Sequence, residues 1–367
     1  MKCLHIINSL GGGGAEKLLV DLLPAIKKLG TNVDLLVFSN QEERSVYSKA
    51  LKTAGVDVIQ LSTKSVYNPF VIFKLRSIIK NYDIVHVHLF PAQLWVAMAS
   101  WGLKTKLITT EHAANNRRTA FYWNYIDRFF YSFYSIIVNV SSDVMKNRII
   151  SLGKKIKNKS VVIENGINLD FYPKVEPVKR NTTNLNIDDN DVLLIMAARF
   201  SDEKDQLTLI KSVALLPEKY KLLLLGVGIK QHECISFVNS LNISHRVFFL
   251  GFQSNVAGLI KMCDIFVLSS FSEGMPISII EAMACSRPVV ASNVDGIKRF
   301  IIDSGILFEC GNEKDLALKI RELEDVAYYN FVAQKCKDAS LKYDIMITAK
   351  KHIALYVRNE YEQIIYC

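Results

Sequence analysis

Residues 263–296 read CDIFVLSSFSEGMPISIIEAMACSRPVVASNVDG. The run Ile265 to Leu268 is apolar and β-branched, the chain breaks over Ser269 to Gly274, and a helical pattern resumes with Pro276 in its first turn. A second strand follows over Pro288 to Ala291, so the unit reads strand, loop, helix, strand. In a parallel sheet this unit brings its loop and helix N-terminus to the carboxyl edge, where open α/β folds bind ligands. Glu273 lies in that loop. Glu281 lies inside a helix that is apolar nearly all round, among Ile279, Ile280, Ala282, Met283 and Ala284, where a carboxylate is costly without a hydrogen-bonding partner. Two partners fit Glu281. The hydroxyl pair of a ribose can donate twice to one carboxylate, which would put Glu273 near the group carried by the nucleotide. Alternatively a basic residue from a neighbouring helix pairs with Glu281, and Glu273 serves only the positive helix end.

The pattern S-E-G-x-P-x-x-x-x-E-A-M-A, with seven residues between its glutamates, resembles the retaining nucleotide-sugar glycosyltransferases of family 4. The resemblance implies the GT-B architecture: two Rossmann-like domains with parallel sheets facing an interdomain cleft, and a C-terminal helix crossing back to the first domain. It implies that Glu281 holds the nucleotide ribose, and that Glu273 with the amides near Gly274, Met275 and Pro276 orients the donor sugar. Two positions depart from the family pattern. Ser286 stands where a Gly is usual, and Arg299 stands where a Glu usually follows the Gly of the next loop, here Asp295-Gly296.

A chain of 367 residues exceeds the usual ceiling for one hydrophobic core, which predicts two domains. A hydrophobic content of 50% with 22% charged residues indicates a globular chain. The formal net charge of +9 is compatible with an anionic membrane surface, phosphorylated substrates or nucleic acid. The last is disfavoured because no nucleic-acid-binding motif accompanies it. Seven scattered cysteines with no C-x-x-C pair read as reduced thiols. No apolar run reaches the ~18 residues a transmembrane helix needs, and the N-terminus reads as a first strand rather than an export signal. The expected location is the cytoplasm, at the inner face of the plasma membrane.

Cys3 to Asn8 reads as a strand, and Gly11 to Gly14 open a helix running to about Leu29. The spacing is neither the dinucleotide fingerprint nor a phosphate loop. Within the resemblance, Gly13, Gly14 and Glu16 match a G-G-x-E element that faces donor phosphates and acceptor. Strands over 33–38, 56–61, 83–88, 106–110, 136–140 and 161–164 alternate with helical patterns, which predicts a parallel sheet covered on both faces. His86 and His88 share one strand face, and His112 follows the next strand in Thr-Thr-Glu-His. With Glu111 these histidines could hold a metal, but no recognised ligand motif is present. The resemblance selects His112 as the cleft residue beside the reacting sugar, leaving His86 and His88 to packing or the acceptor side. Asn165-Gly166 matches the family segment that precedes its linker.

Residues 117–134 combine three arginines with nine aromatic residues, a composition suited to a membrane surface or to a core helix. Lys154, Lys155, Lys157 and Lys159 follow as a basic run. Domain boundaries are expected at 1–170, a linker over 171–190, a second domain over 191–342 and a returning helix over 343–367. Asp189-Asn190-Asp191 is a D-x-D triplet in the expected linker. Beyond the strand 191–198, Arg199 and Lys204 could neutralise a departing diphosphate, and R-F-S-D-E-K matches a family signature. Gly226 and Gly228 resemble the family's G-x-G turn near the nucleotide. Strands over 222–225 and 247–250 and helices over 313–324 and 343–361 complete the reading.

The resemblance implies a metal-independent, cofactor-free, retaining transferase that moves a hexose or N-acetylhexosamine from a nucleotide-diphosphate sugar. The expected donor is a UDP-sugar, and the expected acceptor a glycan or lipid-linked intermediate of bacterial O-antigen or capsule. A nucleotide-sugar epimerase, a non-catalytic nucleotide-sugar-binding subunit and a metal-dependent hydrolase are the competing readings.

Overall fold

The computed structural model describes residues 1–38, 45–61, 63, 65–113, 121–183 and 185–357, apart from the side chains of 45, 121 and 122. Residues 117–120 of the aromatic stretch and 358–361 of the expected last helix therefore lie outside the described residues. The chain forms two compact units: Met1–Ile167 with the helix Ile345–Val357, and Asn168–Asp344.

The first unit holds a parallel sheet of β1 (Lys2–Ile7), β2 (Asn32–Val37), β3 (Val58–Gln60), β4 (Ile84–His88), β5 (Lys106–Glu111), β6 (Ile136–Asn139) and β7 (Ser160–Val162). Their order is 3-2-1-4-5-6-7. The second unit holds β8 (Val192–Ala197), β9 (Tyr220–Leu225), β10 (Val247–Gly251), β11 (Ile265–Leu268), β12 (Val289–Ser292) and β13 (Ile306–Phe308), again parallel, in the order 10-9-8-11-12-13. The strands read as continuous apolar runs because helices cover both faces of a parallel sheet, and β11 is buried at every position. Both sheets reverse winding direction at one place, between β1 and β4 and between β8 and β11. Strand ends diverge there, and the crevice between them is where doubly wound sheets take ligands.

The helix Gly14–Lys28 buries Leu18, Leu19, Leu22, Leu23 and Ile26, the apolar stripe of an amphipathic helix. The helix Ile345–Val357 packs against it, as the GT-B resemblance implies. This helix is fixed at both ends. Ile345 N donates to Ile167 O at 2.9 Å, Thr348 Oγ1 donates to Glu164 O at 3.1 Å, and Lys106 Nζ donates to Leu355 O at 2.7 Å.

Three features of the second unit were not supplied by the sequence. Residues 171–190, expected as a linker, belong to the unit's packing: Tyr172 is buried, and Val178 N donates to Gly258 O at 3.0 Å. The D-x-D triplet is folded onto itself, with Asp191 Oδ2 accepting from Asp188 N and Arg180 donating to the carbonyls of Asp188, Asp189 and Asp191. The helix Val326–Ser340 was absent from the sequence reading. Its buried side is a narrow stripe of Val332, Ala333, Cys336 and Ser340, too weak a periodic signal to detect, and Asp325 caps it through Tyr328 N.

Ser286 follows the helix Ile277–Ala284 with φ of +57°, and Arg287 N and Ser286 N donate back to Ala282 O and Met283 O. This is the left-handed closing position that glycine fills without steric cost, which explains the family's usual residue there. The hydroxyl of Ser286 makes no hydrogen bond among the described residues. Ser286→Gly is therefore expected to stabilise the unit by about 1 kcal/mol, or roughly 2–4 °C in Tm, read by calorimetry. An unchanged or lowered Tm would show that the Ser side chain contributes more than the backbone strain costs.

Candidate active site

In the second unit the loops after β8 and β11 flank the β8/β11 switch point. Lys204 Nζ donates to Glu273 Oε1 at 2.5 Å, and Ser270 Oγ donates to the same oxygen at 2.7 Å. The pair is mostly buried, with side-chain exposures of 24% for Lys204 and 8% for Glu273, so its charges act in a medium poorer than water at screening them. The β11 loop is held by its serines: Ser269 Oγ donates to Asp205 O at 2.7 Å, and Ser292 Oγ donates to Ser270 O at 2.5 Å. Gly296 fixes the other side, since a Cβ there would stand 1.9 Å from Glu273 O. Asp295 and Gly296, expected in a loop, begin the helix Asp295–Ile301, and Arg299 lies on its exposed face.

Arg199 is exposed in the loop after β8 and forms no ion pair among the described residues. Gly226 and Gly228 support that loop from β9. A Cβ at Gly226, whose φ is +125°, would stand 2.2 Å from Ala198 O, and one at Gly228 would stand 2.1 Å from Phe200 O. The G-x-G turn thus lets two backbones touch where Arg199 is displayed.

Glu281 is buried, and its Oε1 accepts from Tyr172 Oη at 2.9 Å. A neutral phenol was not among the partners anticipated for it. Phe171-Tyr172-Pro173 read as linker, so no sequence signal pointed to this contact. Gly274, Met275 and Pro276 are buried, and Pro276 is the N-cap of the helix that carries Glu281.

In the first unit, Gly13 caps the helix after β1, Gly14 opens it, and Glu16 is buried in its first turn. Asn165 is buried beyond β7. His112 follows β5 and is partly exposed; burial pushes its imidazole down to about 4, against the pull of Glu111. Glu111 does not join the histidines as a metal ligand would. Its carboxylate accepts from Gln93 Nε2 at 2.7 Å, from Tyr131 and from Arg148. His86 and His88 are fully buried, and the residue that joins them is His5 of β1. His5 lies level with His86 in the β1–β4 pairing, a register that sequence cannot supply.

Two doubly wound parallel-sheet units, each carrying candidate side chains at its switch point, are the arrangement of a GT-B protein. The profile described as Glycosyltransferase Family 4 matches residues 12–171, and the profile Glycosyl transferases group 1 matches residues 178–334. The chain belongs to the family 4 glycosyltransferases of GT-B architecture. Campylobacter jejuni N,N'-diacetylbacillosaminyl-diphospho-undecaprenol alpha-1,3-N-acetylgalactosaminyltransferase is 32% identical over 367 residues, covering 92% of this chain and 94% of that protein. A second C. jejuni protein, GalNAc-alpha-(1->4)-GalNAc-alpha-(1->3)-diNAcBac-PP-undecaprenol alpha-1,4-N-acetyl-D-galactosaminyltransferase, is 28% identical, covering 94% of this chain and 96% of its own. The crystal structure of Anabaena Alr3699/HepE in complex with UDP and glucose shares the fold with a TM-score of 0.85 at 21% identity, over 97% of this chain and 99% of that one.

Proposed function

We propose that the protein transfers an N-acetylhexosamine or hexose, with retention, from a UDP-sugar to a lipid-linked saccharide used in bacterial surface polysaccharide. The observation that carries this reading is the Lys204–Glu273 pair beside the β8/β11 switch point. A diphosphate drawn to Lys204 and Arg199 would receive the cations that its leaving charge requires, so no divalent ion is needed. Glu273, released from Lys204, would then accept from sugar hydroxyls, while Glu281, oriented by Tyr172, would accept from the ribose. Gly13, Gly14, Glu16 and Asn165 are proposed on the phosphate and acceptor side, and His112 beside the donor sugar. The acceptor hydroxyl attacks the anomeric carbon on the face the phosphate leaves, the glycosidic bond to phosphate breaks, and a phosphate oxygen takes the hydroxyl proton.

The acceptor class is supported by relatives whose names specify undecaprenol-linked saccharides. Among the described residues no helix is long and apolar enough to cross a membrane, so contact with such a lipid would be peripheral. Phe73, Trp101, Tyr125 and Phe129 of the first unit are each more than half exposed, and Lys154, Lys155 and Lys157 of the same unit are exposed. These aromatic and basic side chains suit an anionic bilayer surface. Lys159 does not join them, because its Nζ donates to Tyr131 O and Tyr134 O.

The test is release of nucleotide from a panel of UDP- and GDP-sugars, with UDP-N-acetylgalactosamine first, with and without chelator and a polyprenyl-diphosphate saccharide acceptor. Acceptor-stimulated, chelator-insensitive release from a UDP-sugar, lost in Glu281→Ala, is the expected result. An altered nucleotide sugar formed without acceptor would mark an epimerase, and failure of every nucleotide to shift Tm would sink the reading.

A further inference from the structure

Five of the chain's seven histidines gather inside the first unit: His5, His86, His88, His112 and His352. Four of them form a continuous hydrogen-bonded chain with Tyr356 and Thr110. Thr110 Oγ1 meets His86 Nε2 at 2.7 Å, and His86 Nδ1 meets Tyr356 Oη at 2.9 Å. Tyr356 Oη meets His5 Nε2 at 3.0 Å, His5 Nδ1 meets His88 Nε2 at 3.0 Å, and His88 Nδ1 meets His112 Nε2 at 3.0 Å.

Counting protons along this chain restricts it sharply. A neutral imidazole has one N–H and one lone pair, and a hydroxyl has one proton, so each contact must join one donor to one acceptor. His5, His86 and His88 are neutral, because burial lowers their affinity for a second proton. If Tyr356 donates to His5, then His5 Nδ1–H donates to His88 and His88 Nδ1–H donates to His112 Nε2. His86 Nδ1–H then donates to Tyr356, and Thr110 donates to His86 Nε2. If Tyr356 donates to His86 instead, every bond reverses, and Thr110 must accept. The Thr110 hydroxyl proton then has no acceptor among the described residues, a cost of about 1–3 kcal/mol for a buried donor. Cys3 also lies against Tyr356, but a thiol sulfur is a poorer acceptor than an imidazole nitrogen.

We propose that Thr110, acting through His86, Tyr356, His5 and His88, holds His112 as the Nδ1–H tautomer, with Nε2 committed as an acceptor inside the protein. His112 then meets a substrate as a hydrogen-bond donor and not as a base. Thr110, His5, His86, His88 and Tyr356 are positioning residues, acting on substrate only through His112. The functional consequence rests on the placement of His112 beside the donor sugar; the tautomer does not. One ring nitrogen from each of His5, His86 and His88 also lies within 4.8 Å of the other two, as metal ligands can, although the three rings carry six nitrogens in all. All six are already hydrogen-bonded, which favours the chain over an ion.

The experiment is long-range 1H–15N correlation of histidine rings in the 15N-histidine-labelled protein, with His112 assigned by the signal lost in His112→Gln. A pure Nδ1–H signature is expected in the wild type and in Thr110→Ser, which keeps the hydroxyl. Thr110→Val and Tyr356→Phe are expected to give a mixture, with the Nε2–H form rising from near zero to a large fraction. Kinetics of Thr110→Val would show kcat falling with little change in donor KM. An Nε2–H signature in the wild type overturns the proposal, as does a His112 tautomer unmoved in Thr110→Val, or stoichiometric zinc or nickel in the metal analysis of the purified protein. The wild-type spectrum alone decides the tautomer if a variant fails to fold, and neither result depends on the transferase reading.

Discussion

Acidification from about pH 7 to about pH 5.5 is expected to cost the first unit about 5 kcal/mol of stability, while the second unit is much less affected. His5, His86, His88 and His352 are each at most 2% exposed. Burial holds the first three well below the ordinary histidine range and takes His352 to about 3. The unfolded chain binds a proton at each of these residues as pH falls through about 6.5, whereas the folded unit does not. A depressed folded value gives stability that is present above the unfolded pKa and lost as pH falls, at roughly 1 kcal/mol or slightly more per histidine over this window. His232 and His245 of the second unit are exposed. Urea unfolding followed separately for the two units at both pH values is the measurement. Coincident loss of both units, or no loss from the first, would contradict the burial of the cluster.

Lys204→Met is expected to lower kcat/KM by about 10²–10³-fold, the usual loss when one group stabilising a developing anion is removed. It also leaves the Glu273 carboxylate buried with Ser270 Oγ as its remaining side-chain donor, at a cost of about 1–3 kcal/mol in stability. A second variant separates the two effects. Glu273→Gln keeps an acceptor for Ser270 and frees Lys204, so nucleotide affinity should hold or rise while turnover falls. If Lys204→Met loses stability but keeps kcat/KM, the pair is structural and the diphosphate is held elsewhere.

The sequence disclosed the elements most fully where burial is continuous. The stretch 263–296 was read as strand, loop, helix and strand, and the structure has β11, the helix Ile277–Ala284 and β12 within one or two residues of those bounds. An all-buried strand bounded by Ser and Gly leaves few alternatives. Helix Val326–Ser340 escaped because a short stripe on a polar helix has little periodic contrast. In the sites, the charged residues were visible as types and their partners were not. Glu281 was seen to need a donor, but Tyr172 lies 109 positions away and looked like linker. His86, His88 and His112 stood out locally, whereas His5 and Tyr356 join them only through strand register and a returning helix.

That returning helix also imposes an order on biosynthesis. His5 and Tyr356 are 351 positions apart, yet they share a hydrogen bond in one interior. While a ribosome is still translating the second unit, the first sheet lacks the helix Ile345–Val357, and its histidines stay accessible to water and to protons. The second unit is made from one uninterrupted stretch and can fold as it emerges. The first unit, although made earlier, matures later. A nascent or truncated chain stopping before residue 345 carries the second unit whole beside an unfinished first one.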